Sequence, residues 1–235
     1  MLVMANAPSV ADLLARSALF CTLGPAHRSS IAEEMRDVVL QPGETLFARG
    51  DPGNETYLVT EGRIRLSVLS SDGRELSFAH AVSGDIFGEI AALDGAPRSA
   101  DATAITRVRL KTLSRSALHR LLTTNTATAL AIIKLLCGRL RDVSEHFEAI
   151  ALHPIEVRLA RLLLDTLEER ETAKTGKLSS LTLGISQNEL ALLIGSTRQR
   201  ANVALMVLEK AGAIRRSGDA LDCNLAELRK IAQRD

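Results

Sequence analysis

The sequence predicts an α+β chain: a helical start, an antiparallel barrel or sandwich of short strands, a long helix, and a C-terminal winged helix-turn-helix. Three observations carry this reading. Short apolar runs alternate with turn signals over 38–115, and residues 117–152 then run helical without proline and with a single glycine, Gly138. Near the C-terminus, two helical patterns flank a short glycine-containing turn and lead into a hairpin. At 235 residues the chain is long enough for two domains with real cores. Its 46% apolar and 24% charged content is ordinary for a soluble globular protein.

Residues 9–37 read as helical, with Leu13, Leu14, Leu19, Phe20 and Ile31 on apolar faces. The change at 38 is abrupt. The turn signals QPGE, RGDPGN, TEG, SDG, VSGD and LDGAP follow, and Gly43, Gly50, Gly62, Gly73 and Gly84 recur at spacings of 7 to 12. SerAspGly at 71–73, between IRLSVLS and RELSFAHAV, is a strong hairpin signal.

Over 117–152, Leu130, Ile133, Cys137, Leu140, Ser144, Phe147 and Ala151 alternate at spacings of three and four, a heptad seam. Ile132, Leu135 and Leu136 form a second stripe on another face. One stripe is assigned to the chain's own β-domain and the seam to a second copy of the chain. A single amphipathic helix packed inside one monomer is the alternative, and Ser144 makes the seam imperfect. HisPro at 153–154 marks a boundary, because proline holds His153 extended and suits the first turn of a new helix, IEVRLARLLLDTLEER. The domains are therefore expected at 1–116, 117–152 and 153–235, with 171–180 a polar loop and LTLGI a short strand.

Ser186 and Glu189 read as a capping box before ELALLIG. Gly195 breaks that helix, and a second runs from about Thr197 to Ala211, with Val203, Leu205, Met206 and Leu208 expected on its inward side. Its first turns carry Thr197, Arg198, Gln199, Arg200 and Asn202. Arginine can donate twice to guanine, and glutamine or asparagine can pair doubly with adenine, so these types suit a major groove. Ser186, Gln187, Thr197 and Arg215 suit phosphate or groove contacts. AIRRS and ALDCN, around GlyAsp, read as a wing, and Leu225–Ala232 as a last helix capped by Asn224. A helical hairpin for protein contact is the alternative; the wing and the polar first turn favour double-stranded DNA.

The net charge of +1 argues against a polyanion binder acting through total charge. The basic excess is local: Arg198, Arg200, Lys210, Arg215 and Arg216 stand against Glu189 and Glu209 over 186–216. Cys21, Cys137 and Cys223 lie far apart without a CxxC, supporting neither a zinc clip nor an iron–sulfur cluster. The opening MLVMANAPSVADLL lacks the basic flank of a signal peptide, and no apolar run is of membrane-spanning length, so a cytoplasmic protein without a membrane partner is expected. No nucleophile–base set or metal motif suggests an enzyme.

The most specific string is FGEIAALDGAPRSA, Phe87–Ala100. A glycine-rich turn at the start of a short helix can cradle an anion with backbone N–H groups. Arg98 adds a charge-assisted partner for phosphate oxygens. The Glu89 carboxylate repels phosphate but accepts from hydroxyls such as those of a ribose. Together they suit a nucleotide; a structural Glu89–Arg98 salt bridge is the alternative.

With PGETLFARGD, YLVTEGRIRLS, SDGRELSFA, GDIFGEIAALDGAPRSA, LRDVSE and ISQNELALLIGSTRQRANVALMVLEKAGAI, the chain resembles the catabolite-activator (CRP/FNR) family of bacterial transcription regulators over roughly 18–228. The resemblance implies a jelly-roll-like cyclic-nucleotide-binding β-roll, a long dimerisation helix and a winged helix-turn-helix. It also implies cAMP as allosteric effector, no metal, a homodimer, DNA, and RNA polymerase as a further partner. It places Glu89 on the ribose 2′-hydroxyl, Arg98 and Ser99 on the cyclic phosphate, and Gly88, Ile90 and Ala100 along the turn. Leu66 and Phe78 become walls of the barrel, and Arg139 approaches the phosphate–ribose end. The base falls to Val143 and to Ser144, which reaches across the dimer.

Two departures matter. Val143 stands where the best-known cAMP receptors carry a threonine that bonds the adenine amino group, which keeps cGMP as the alternative effector. Gln199 and Val203 stand where many members carry Glu and Arg, so a different half-site is expected, with Arg200 and Asn202 as added contributors. The same fold could serve another effector, with His80 the one tempting haem ligand, or none. A protein-interaction module would need a non-DNA role for Arg198 and Gln199.

Overall fold

In the computed structural model, Ser9 opens α1 (Val10–Arg16) with a capping box: its hydroxyl accepts from Asp12 N at 3.2 Å, and the Asp12 carboxylate accepts from Ser9 N at 3.1 Å. Pro25 then starts α2 (Pro25–Glu34). The helical stretch expected over 9–37 is thus two short helices, and Arg36 already lies in β1 (Arg36–Leu40). The break follows from Gly24-Pro25, which holds Gly24 extended at ψ 158° and seats proline at the first helical position.

The structure describes residues 9–71, 75–169, 179–217 and 220–233. The chain divides into two compact units, one of 1–75 with 79–141, the other of 142–235 with Leu76–Phe78.

β2 (Thr45–Phe47), β3 (Glu55–Glu61), β4 (Arg63–Leu69), β5 (Glu75–Val82), β6 (Ile86–Phe87), β7 (Asp101–Ala104) and β8 (Val108–Ser114) join β1 in two four-stranded sheets, ordered β1-β8-β3-β6 and β2-β7-β4-β5, which fall in the first unit apart from Leu76–Phe78 of β5. β1 and β3 flank β8 antiparallel, and β4 and β2 flank β7 likewise. This is the β-roll architecture. The tip of the expected SerAspGly hairpin lies outside the described residues, although β4 and β5 are neighbours in the sheet. Thr56, Tyr57, Leu58 and Val59 are all buried along β3. Alternation sends Leu58 into a core with Leu14, Phe20, Leu113, Leu118 and Ile132, and turns Tyr57 to the other face.

The helical pattern that begins at 117 is interrupted. α4 (Arg115–Thr124) ends at Asn125, whose φ of −135° and ψ of 100° are not helical. Asn125 then caps α5 (Thr126–Leu152), its Oδ1 accepting from Thr128 N at 3.0 Å. On α5, Ile132 is buried and Leu136 packs on the β-domain core, while Leu130, Ile133, Leu140 and Phe147 are more than half exposed. One of the two stripes thus packs within the first unit and the seam does not.

In the second unit, α6 (Ile155–Glu169), α7 (Gln187–Leu193), α8 (Arg198–Lys210) and α9 (Leu225–Ala232) enclose Leu159, Leu163, Leu167, Leu190, Leu205, Leu208 and Leu228. A sheet of β9 (Ser179–Leu181), β10 (Ile214–Ser217) and β11 (Ala220–Cys223) runs in the order β10-β11-β9, all antiparallel. β9 begins earlier than LTLGI suggests and stops before Gly184, whose φ of 65° takes it out of the strand. Most of the 171–180 loop lies outside the described residues. No single helix among the described residues is long and apolar enough to cross a membrane.

Candidate functional site

Phe87–Ala100 folds as its composition suggests. β6 delivers Phe87 to Gly88, which starts α3 (Glu89–Asp94) at φ 75°, and Gly95 ends the helix. Only glycine fits position 88: a Cβ there would stand 2.9 Å from Arg98 Nη1 and 3.1 Å from Tyr57 Cδ2, and the backbone is left-handed. Glu89 and Arg98 are both withdrawn from water, at 0% and 5% exposure.

The two do not pair. Glu89 Oε1 accepts from Arg139 Nη1 at 2.6 Å, and Arg139 Nη2 donates to the Ile86 carbonyl. Burial pushes the Glu89 carboxyl above the usual carboxylate range, and the Arg139 charge opposes that shift. Arg98 is held from all sides. Its backbone N–H donates to Asp51 O at 2.8 Å and its carbonyl accepts from Gly50 N at 2.9 Å. Its Nη1 donates to Gly88 O at 2.7 Å, and its Cζ lies 4.2 Å from the Phe47 ring centroid and 5.5 Å from that of Tyr57. Burial draws the guanidinium below its ordinary pKa, and Tyr57 and Glu55 act the other way.

Each buried side chain keeps one unsatisfied atom. Glu89 Oε2 and Arg98 Nε are shielded from solvent without a hydrogen-bond partner. An acceptor and a donor left open on one cassette fit a ligand that offers a hydroxyl and an anionic oxygen.

Phe47, Tyr57 and Phe87 form one cluster with ring centroids 5.3 to 6.2 Å apart, Tyr57 stacking on both phenylalanines and Arg98 lying over Phe47 and Tyr57. Gly53 clears the ground: a Cβ there would meet Ala91 Cβ at 2.3 Å and Arg98 Nε at 3.0 Å. Phe47, Tyr57 and Gly53 were not assigned to the site from the sequence. The strings that hold them, PGETLFARGD, RGDPGN and YLVTEG, stand in the sequence, but nothing in a linear pattern brings them together. The other expected ligand residues divide. Leu66 and Ala100 are buried, Ile90 and Ser99 exposed, and Phe78 half-buried on β5. Val143 is 53% exposed on α5 and Ser144 is exposed beside it. Val143, Ser144 and Phe78 belong to the second unit, whereas the cassette and Arg139 belong to the first.

The helix-turn-helix is built from α7 and α8. The Ser186 hydroxyl caps α7 by accepting from Glu189 N at 3.2 Å, and the Thr197 hydroxyl caps α8 by accepting from Arg200 N at 3.4 Å. Gly195 turns the chain at φ 61°, where a Cβ would meet Ile150 Cδ1 at 2.8 Å. Arg158 of α6, unassigned from sequence, donates to the Ile194 carbonyl at 2.7 Å and secures the turn. Gln187, Arg198, Gln199 and Arg200 are exposed. Asn202 is half-buried, with Oδ1 shielded and unpartnered. On the wing, Arg215 is exposed but pairs with Asp222, opposite it in the register, at 2.9 Å.

One expectation fails on α8. Val203 and Met206 do not face inward: the buried ridge is Ala201, Ala204, Leu205 and Leu208, and Val203 and Met206 are 56% and 50% exposed. Ala201 and Ala204 set this rotation, because small residues let α8 approach its neighbours closely. An alanine weighs too little in an apolar pattern to reveal it.

His80 is largely buried, and burial with Arg63 and Arg65 lowers its pKa to about 4. The cysteines are free thiols, Cys223 buried and the others exposed, and no cluster of three or more metal-ligating side chains exists among the described residues.

Residues 37–125 match the model of the cyclic nucleotide-binding domain, and residues 157–231 match that of the Crp-like helix-turn-helix domain. Over 210 residues the chain is 29% identical to the CRP-like cAMP-activated global transcriptional regulator of Mycobacterium tuberculosis, covering 89% of this chain and 93% of that protein. A transcriptional regulator of the CRP/FNR family from Thermus thermophilus superposes with a TM-score of 0.66 at 25% identity, over 85% of this chain and 99% of its own. The c-di-GMP responsive global regulator CLP of Xanthomonas campestris superposes with a TM-score of 0.68 at 25% identity, over 81% and 94%.

Proposed function

We propose that this chain, which belongs to the CRP/FNR family of transcription regulators, is a homodimeric regulator whose DNA binding is set by a cyclic nucleotide. cAMP is the leading effector and cGMP the alternative. One observation carries the reading: Glu89 and Arg98 are both buried on one short cassette, and each has a polar atom left open. A ribose 2′-hydroxyl donating to Glu89 Oε2, and a cyclic phosphate drawn to Arg98 and Ser99, would satisfy both. Gly88, Ile90 and Ala100 would line the turn and Leu66 the barrel wall, with Phe78 a second wall on the family's pattern. Arg139 would orient the carboxylate rather than meet the phosphate directly.

The exposed seam of Leu130, Ile133, Leu140 and Phe147 supports a second copy as the partner of α5. On the family's pattern, Val143 and Ser144 then read the base, and nucleotide binding repositions the helix-turn-helix domains past Ala149–His153. A ligand shifts such an equilibrium only by its differential affinity for the DNA-competent state. Ser186, Gln187, Thr197 and Arg215 would position the phosphates. Arg198, Gln199, Arg200 and Asn202 would read base edges, with half-sites about 34 Å apart. RNA polymerase is a further partner on the family's pattern, and a cytoplasmic location accords with a DNA-binding role.

The test is calorimetry with cAMP and with cGMP, alongside cyclic di-GMP because of the Xanthomonas relative. Saturable cAMP binding that is tighter than cGMP and lost in Glu89→Ala supports the reading. Preference for the dinucleotide would replace the effector. The variant Val143→Thr should raise the cAMP:cGMP preference by about 0.5–1.5 kcal/mol, one added neutral hydrogen bond; an unaltered ratio would remove the base-reading role of this position.

A further inference from the structure

The recognition helix presents an apolar surface to the side where a helix-turn-helix is expected to read bases. The ridge of Ala201, Ala204, Leu205 and Leu208 packs into the core and fixes the rotation of α8. At about 100° per residue, Gln199, Val203 and Met206 then fall within about 60° of one another on the opposite side. Gln199 is exposed, Val203 is 56% exposed and Met206 50%. Asn202 flanks this stripe on one side and the exposed Arg200 on the other. Single exposed apolar residues are ordinary. Here the valine continues a row that opens with Gln199, on the helix that enters the major groove in this class of motif.

We propose that Val203 reads a T·A pair in each half-site by seating its isopropyl group against the thymine C5 methyl, with Met206 widening the apolar surface. This rests on the DNA-reading assignment made above. Among the bases, thymine alone presents a methyl group in the major groove. Opposite a G·C pair, valine would displace water from the guanine acceptors and the cytosine amino group and return no hydrogen bond. Gln199 lies one helical turn earlier, about 6 Å along the axis, where its amide can pair doubly with adenine. The two side chains then read nearby base pairs, and the centre of the half-site is A·T-rich.

The experiment uses the full chain loaded with its tighter cyclic nucleotide. Duplexes are selected from a randomised pool, and each thymine of the selected half-site is replaced in turn by deoxyuridine, which lacks only the methyl group. We expect one thymine per half-site whose replacement weakens binding, and we expect that effect to vanish in Val203→Ser. Changing that T·A pair to C·G should weaken binding by the unaltered chain roughly 5- to 150-fold, the usual range for a mismatched base pair, and far less in the variant. The Val203 side chain stands in water, so the variant should fold; the deoxyuridine scan on the unaltered chain is decisive without it. A selected site indifferent to every deoxyuridine, or a scan unchanged in Val203→Ser, overturns the proposal while leaving DNA reading intact. A chain that selects no sequence with any of the nucleotides overturns the DNA-reading assignment and this proposal together.

Discussion

Arg139 holds Glu89 by one oxygen only: its Nη1 lies 2.6 Å from Oε1, while the buried Oε2 has no hydrogen-bond partner. A carboxylate withdrawn from water and half satisfied is costly unless something completes it. Arg139 opposes the upward pull of burial on the Glu89 pKa and aims the carboxylate, and the open oxygen suits a ligand hydroxyl. The cassette is therefore oriented by a helix that the local sequence around Glu89 does not contain.

Removing Arg139 should expose that cost. Losing one partner of a buried ion pair is worth about 3–5 kcal/mol. The Arg139 side chain is 31% exposed, so Arg139→Met should destabilise the first unit by about 2–3 kcal/mol in urea unfolding. Adding Glu89→Gln should restore most of the loss, because the uncompensated charge goes. A single variant as stable as the parent would reduce the pair to a surface contact.

Arg98→Ala should weaken cyclic-nucleotide binding by about 2–5 kcal/mol, the range for truncating one partner of a buried charge pair. Arg98→Lys should recover little, since an ammonium cannot both donate to Gly88 O and lie flat over Phe47. Calorimetry decides, and unchanged affinity in Arg98→Ala would remove the cassette assignment.

His80 should make stability depend on pH. Its imidazole is pushed down to about 4 by burial and by Arg63 and Arg65. The unfolded chain, with an ordinary histidine near 6.5, then binds the proton more tightly. Its contribution is fully present above about pH 6.5 and is lost as pH falls through about 4. The loss is bounded by roughly 3 kcal/mol. Carboxylates titrate in the lower part of this window, so the measurement is the difference between the parent and His80→Leu from pH 7 to 4. Parallel curves would show that His80 titrates normally.

Arg198→Ala should relax discrimination at one base pair by about 1–3 kcal/mol, because a doubly hydrogen-bonded guanine contact is lost. Arg215→Ala should instead weaken all sequences alike and lower the salt slope by about 1. Its effect should be the smaller, since Asp222 already holds that guanidinium at 2.9 Å. A uniform loss in Arg198→Ala would make it a phosphate contact.

Much of this was legible in the residues themselves. The turn glycines Gly43, Gly50, Gly62 and Gly84, the capping serine of α7 and the helical turn within Phe87–Ala100 are local signals, and their elements form where those signals stand. Three features were not legible, each for a physical reason. Phe47 and Tyr57 meet Arg98 through pairing of distant strands. Asn125 serves as the end of one helix and the cap of the next, and an unbroken apolar pattern conceals that double use. Val203 and Met206 look like core residues until Ala201 and Ala204 are seen to set the helix rotation. Glu89 and Arg98 stand out in the sequence and both prove to be buried, yet their pairing with one another was left open, and Arg139 proves to be the partner of Glu89.

Control of DNA binding by a cyclic nucleotide is decided by fluorescence anisotropy of the full chain on a selected duplex across a titration of cAMP and of cGMP. One of the two should raise affinity for that duplex at least severalfold at fixed salt, and Glu89→Ala and Arg98→Ala should each abolish the increase while nucleotide-independent binding persists. Affinity that is the same with and without either nucleotide, or an increase that survives both substitutions, would contradict it.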